Sequence, residues 1–184
     1  MPLPYSYTLD EESEIASFAA ENQASYKALF LNVPFKGEPQ LEGLIYDFTF
    51  ERDSINCLSA TGKAKDGTFK KLLGRTDERI PLTLVGIVEG FFQKYQYAVV
   101  YFTCDSVDGK HKGRLQMFND WYDLHGQCYI KVPFCVGGGI FEDGQALPEI
   151  VGGAIFLASH PLSDLIERFV NSEVIIYSES KSSH

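Results

Sequence analysis

The chain lacks any run approaching the ~20 apolar residues that would cross a membrane. Its first residues, Met1-Pro2-Leu3-Pro4, hold no basic stretch leading into an apolar one, so no secretory signal is read there. Cysteine is sparse: Cys57, Cys104, Cys128 and Cys135 stand far apart or in apolar surroundings, which suits free thiols in a reducing cytoplasm better than a disulfide framework. Positive charge is also short. The net charge is −9, and the one basic stretch, residues 63–79, sets six Lys or Arg against three Asp or Glu. That field is too weak for a non-specific nucleic-acid binder. Membranes and nucleic acid are therefore not expected partners.

Familiar signatures are missing too. Gly137-Gly138-Gly139 and Gly152-Gly153 fit neither the phosphate loop nor the dinucleotide fingerprint, and they read as a hairpin tip and a strand closely approached by backbone. His125, Cys128 and Cys135 do not make the four-ligand spacing of structural zinc. No calcium loop is present. Cys104 paired with His111 or His160 would supply a nucleophile and base, but no local motif marks such a pair. No metal and no cofactor is expected.

What is present is a globular composition rich in aromatics, with 14 Phe and 10 Tyr, in a length that one domain accommodates. No linker divides it, so residues 1–177 read as a single α+β domain and 178–184 as a disordered polar tail. The opening residues 5–9 alternate as a strand. Residues 10–20 admit a helical turn or two on propensity, but 15–33 reads better as a hairpin. Leu44, Tyr46, Phe48 and Phe50 fall on alternate positions of a further strand. Asp66-Gly67 marks a turn within residues 51–76.

Helical spacing of Leu84, Val85, Val88, Phe91, Phe92 and Tyr95 predicts a helix over 80–95, with Pro81 in its first turn and Gly86 and Gly90 leaving one flank open to close approach. A nearly continuous apolar strand, 97–103, leads through a polar loop into a second helix over 109–124. Strands near 127–134 and 149–157 follow, then a helix from Ser159-His160-Pro161 to about Val170 and a closing strand over 174–177. This order is not the regular alternation of a doubly wound fold. It predicts an antiparallel or mixed sheet with about three helices packed mainly on one face.

The segment Cys104-Asp105-Ser106-Val107-Asp108-Gly109-Lys110-His111 carries most of the chemistry. A buried strand ends and an amphipathic helix begins, where unpaired N–H groups and the positive dipole end attract anions. Asp105, Ser106 or Asp108 can simply cap that helix. The full set of Asp105, Ser106, Asp108, Lys110 and Arg114, with Trp121 on the helix as a stacking ring, can instead form a ligand site. Two carboxylates oppose a bare phosphate, so an enzyme here would be a metal-dependent hydrolase or nuclease using Asp105 and Asp108. A nucleotide or another small anion is the ligand of a non-catalytic site. Phe118, Trp121 and Tyr122 share helical spacing with Leu115, which also suits a core face.

The string CDSVDGKHKGRLQMFNDW (104–121) resembles the signature of an uncharacterised family of small bacterial proteins, and ERIPLTLVGIVEGFF (78–92) is similar to that family's upstream helix. The likeness extends loosely over residues 5–170, while the extra length at 136–147 departs from it. The family has no assigned function, so the resemblance implies a fold unit and a position and no reaction. It is also all that suggests a component of a multi-protein bacterial system, such as a toxin–antitoxin or phage-defence locus, bound to a protein partner in the cytoplasm.

Overall fold

A computed structural model describes residues 3–10, 14–21, 24–34, 37–52, 77, 79–104, 111–136 and 150–182. Among them are seven strands and three α-helices: β1 (Tyr7–Asp10), β2 (Ile15–Ala19), β3 (Ser25–Asn32), β4 (Ile45–Arg52), α1 (Arg79–Lys94), β5 (Val99–Cys104), α2 (His111–His125), β6 (Tyr129–Val136), β7 (Ile150–Leu157) and α3 (Ser163–Ser182). The strand order is β1-β2-β3-β4-β5-β7-β6. Strands β1, β2 and β3 run antiparallel in turn, β4 and β5 are parallel, and β7 is antiparallel to both β5 and β6. A parallel pair needs a long crossover, and the chain between β4 and β5 carries α1. The mixed sheet with three helices is the α+β arrangement read from the sequence. The turn expected at Asp66-Gly67 and the Gly137–Gly139 bend lie outside the described residues.

The chain divides into two compact units. Unit 1 comprises Met1–Phe30 and Thr49–Phe91, and unit 2 comprises Leu31–Phe48 and Phe92–His184.

In unit 1 the expected hairpin over 15–33 is realised, with Ala16 opposite Ala28 and Phe18 opposite Tyr26. Alternation puts Ala16, Phe18, Ala28 and Phe30 on one face, and all four are buried. Leu84, Ile87 and Phe91 form the buried stripe of α1, and Phe91 stacks on Phe30 at 3.9 Å between centroids. Tyr5, Phe18, Tyr26 and Phe50 form a row of nearly parallel rings, with centroids 5.3–6.4 Å apart from Tyr5–Phe18 to Phe18–Phe50. The glycine flank of α1 is used as its sequence suggests. The Tyr7 hydroxyl donates to the Gly86 carbonyl at 3.3 Å, and a Cβ on Gly90 would lie 3.2 Å from that hydroxyl.

The start of α1 is tied down by a closed polar network. Asp77 caps it, accepting the Arg79 N–H at 3.0 Å on one carboxylate oxygen and the Tyr5 hydroxyl at 2.5 Å on the other. The Arg79 guanidinium lies 3.9 Å above the Tyr5 ring, pairs with Glu21 and donates from Nε to the Leu3 carbonyl. The Tyr5 N–H donates to the Thr83 hydroxyl at 2.8 Å. Burial, with the Asp77 hydrogen bond second, pushes the Tyr5 phenol above its ordinary range.

In unit 2 the two faces of the sheet are both covered. Val99 of β5, Val132 of β6 and Ala154 and Phe156 of β7 share a core with Leu41, Ile45 and, from α3, Ile166 and Val170. The alternate positions of β5 point the other way. There Phe102 stacks on Phe118 of α2 at 4.5 Å. Gly152 and Gly153 serve the close approach anticipated for them: a Cβ on Gly152 would sit 2.1 Å from the Phe102 carbonyl oxygen, and one on Gly153 3.0 Å from the Phe102 ring. Pro133 stands on β6, the last strand in the order among the described residues, and has no N–H to offer a further strand.

One expected element is corrected. Residues 174–177 form no closing strand; α3 runs on through them to Ser182, into the stretch expected to be a tail. No Gly or Pro interrupts residues 162–182. Elongating an existing helix adds one hydrogen bond per residue fixed, which outweighs the mild strand preference of Val174, Ile175 and Ile176.

Candidate functional site

Strand β5 drives into the interior and ends at Cys104, which is buried. Asp105, Ser106, Asp108 and Lys110 lie outside the described residues. Helix α2 starts at His111, and Arg114 sits in its first turn, one turn before Phe118. The described geometry of the site is therefore that of its frame.

That frame is aromatic. Phe118 stacks on Phe102, meets Phe48 edge-on at 6.3 Å and receives the edge of Trp121 at 5.0 Å. Trp121 is half-buried. Tyr122 donates its hydroxyl to the Tyr129 carbonyl at 3.0 Å, and its ring fits beneath Gly126, where a Cβ would come within 2.7 Å. Phe118 and Tyr122 thus spend their rings on packing α2 against the sheet, and Trp121, half-buried as both of them are, packs on Phe118.

Beside this face stands Lys131, a lysine in an otherwise apolar strand. Its ammonium donates to Asn119 Oδ1 at 2.7 Å and lies 4.4 Å from the centre of the Tyr122 ring. Loss of water around it lowers its pKa, and the Asp123 carboxylate partly opposes the shift. The sequence reading missed this cluster. Its signal was the single charge in Tyr-Ile-Lys-Val-Pro-Phe, at the position where alternation turns a side chain toward α2.

His160 is buried and used at both ring nitrogens. Nδ1 accepts the Leu162 N–H at 3.0 Å, so Nε2 carries the proton and donates to the Tyr97 carbonyl at 3.1 Å. This bond fastens the turn before β5 to the start of α3. It also separates His160 from Cys104, since the length of β5, roughly 17 Å, lies between Tyr97 and Cys104. The two cannot form a nucleophile–base pair. Cys128 closes the 3-10 turn just before β6 and Cys135 lies near the strand's far end, roughly 20 Å away, so the two cannot share one metal ion. Among the described residues no three His, Cys, Asp or Glu side chains gather as a metal site. The described cysteines, Cys104, Cys128 and Cys135, are all unbridged. No described helix is long and apolar enough to cross a membrane.

Residues 76–143 match a family of unknown function, DUF6169. The matched stretch takes in α1, β5, α2 and β6, so it contains the whole of the strand–loop–helix in question together with Lys131. No curated protein and no solved structure matches the chain.

Proposed function

We propose that this chain is a bacterial, cytoplasmic binding protein with no chemical step of its own. Its binding surface is the junction of β5 and α2: Asp105, Ser106, Asp108, Lys110, Arg114 and Trp121. The partner is a protein of a multi-component system, of which toxin–antitoxin and phage-defence systems are the types the resemblance suggests. One observation carries the non-catalytic reading: His160, the buried histidine, holds a backbone group on each ring nitrogen. A general base needs a free lone pair facing its substrate, and this imidazole has none. The unbridged cysteines support the reducing compartment. The aromatic packing beneath α2 supports a surface held in place before the partner arrives, which lowers the ordering cost of association.

The test is co-purification from the native host with the tagged wild-type chain and its Asp108→Ala and Lys110→Ala variants. The expected result is one stoichiometric partner, retained by the wild type and lost by both variants at unchanged melting temperature. A monodisperse monomer with no partner sinks the reading. A melting temperature several degrees lower in Asp108→Ala assigns that residue to helix capping instead. A thermal shift produced by nucleotides, or by divalent ions with accompanying hydrolysis, moves the junction to a small-anion site or to a metal-dependent hydrolase respectively.

A further inference from the structure

Within unit 2 the first turns of α3 and the turn at residues 37–38 enclose an open groove of about 320 Å³, a volume typical of small-ligand sites. Gly37, Glu38, Leu165, Arg168, Phe169 and Ser172 line it. Leu165 and Phe169 pack inward against the buried core while their outer flanks reach the groove, so its apolar floor is anchored from below. Arg168 is exposed and donates from Nε to the Asp164 carbonyl at 3.2 Å, one turn back, a bond that does not use its terminal guanidinium nitrogens. Among the described residues the half-buried Glu38 carboxylate makes no ion pair and no hydrogen bond. The Ser172 hydroxyl donates to the Phe169 carbonyl at 2.9 Å, so what it offers the groove is an acceptor.

An acidic and a basic residue in one lining constrain the occupant by charge. A simple anion meets Glu38 and is repelled; a simple cation meets Arg168 and is repelled. A molecule with one charge of each sign satisfies both residues, and the apolar floor rewards an apolar group. We infer that the groove binds a zwitterion of the α-amino-acid class, its ammonium on Glu38, its carboxylate on Arg168 and an apolar side chain over Leu165 and Phe169. The inference uses none of the residues of the β5–α2 junction and stands or falls apart from that proposal.

Isothermal titration of the full chain with L-phenylalanine and L-leucine tests it, with N-acetyl-phenylalanine and phenylalanine amide as ligands that each lack one charge. Saturable binding of the parent amino acids is expected, weakened about tenfold by either blocking group, since each removes a charge-assisted hydrogen bond. In Glu38→Gln the penalty for acetylation disappears and the penalty for amidation remains; in Arg168→Gln the pattern reverses. Both positions are partly or fully exposed, so the variants keep the wild-type circular dichroism and melting temperature, and the comparison reads the site alone. No saturable binding overturns the inference. So does a penalty from only one blocking group, or binding indifferent to both substitutions.

Discussion

At the residue scale, individual atoms decide more than composition does. Tyr5 shows this: its hydroxyl donates to Asp77, accepts the Glu21 N–H at 3.1 Å, and its ring carries the Arg79 guanidinium. Tyr5→Phe keeps the ring and deletes the hydroxyl, and is expected to lower unfolding stability by about 1–2 kcal/mol in urea titrations. Gly152→Ala meets a harder obstacle, the Phe102 carbonyl oxygen 2.1 Å from the new Cβ. Backbone cannot step aside as a side chain can, so about 3 kcal/mol or more is expected to be lost, read by the same titration. The Gly152-Gly153 pair was legible in the sequence as a place of close approach. Lys131 was not, because a lone lysine in a strand reads as a solvent-facing residue until the helix covering that face is known.

At the element scale, α1 stands on its cap. Asp77→Ala removes the acceptor for the Arg79 N–H and the partner of Tyr5, and is expected to cost about 1–2 kcal/mol. The double variant with Tyr5→Phe should cost less than the sum of the singles, since the two share one bond; simple additivity would show that the Tyr5–Asp77 contact contributes nothing. Elements with a strong period were legible: α1 from its apolar stripe, β5 from its continuous apolar run, the hairpin of β2 and β3 from its turn. The end of α3 was not, because Val174–Tyr177 fits a strand pattern locally and only the helix already formed ahead of it decides otherwise. The same limit applied to the ring trio on α2. Phe118, Trp121 and Tyr122 have the spacing of a stacking platform and of a core face alike, and the packing of Phe118 and Tyr122 follows from where Phe102, Phe48 and Tyr129 lie.

At the scale of the whole molecule, the two shifted groups give stability an alkaline profile with two limbs. Lys131 is charged in both folded and unfolded chains below its lowered native pKa, and its desolvation cost is present in full there. As pH rises from that value toward 10.5 the native ammonium gives up its proton first, the cost fades, and stability rises. Tyr5 is neutral in both states below pH 10.0; above it the unfolded phenol ionises first, so stability falls as pH climbs toward the raised native value. Urea midpoints measured from neutral pH upward should therefore rise and then drop. Lys131→Met should flatten the first limb and Tyr5→Phe the second. A monotonic fall in the wild type would show that Lys131 is solvated like any surface lysine. The net charge of −9 adds a separate expectation: moderate salt should raise the melting temperature by screening self-repulsion.

The amino-acid order alone determined the local elements and the class of fold, because apolar periodicity, turn residues and caps act over a few residues and need no partner. It also placed the polar segment 104–114 between a buried strand and an amphipathic helix. Tertiary structure alone decided which faces those elements cover and which polar groups meet: His160 bonded to Tyr97, Asp77 to Tyr5, Lys131 to Asn119, and Glu38 brought to the same groove as Arg168. The members of each such pair are 12 to 130 positions apart in the chain, and no local pattern encodes a meeting that only packing brings about.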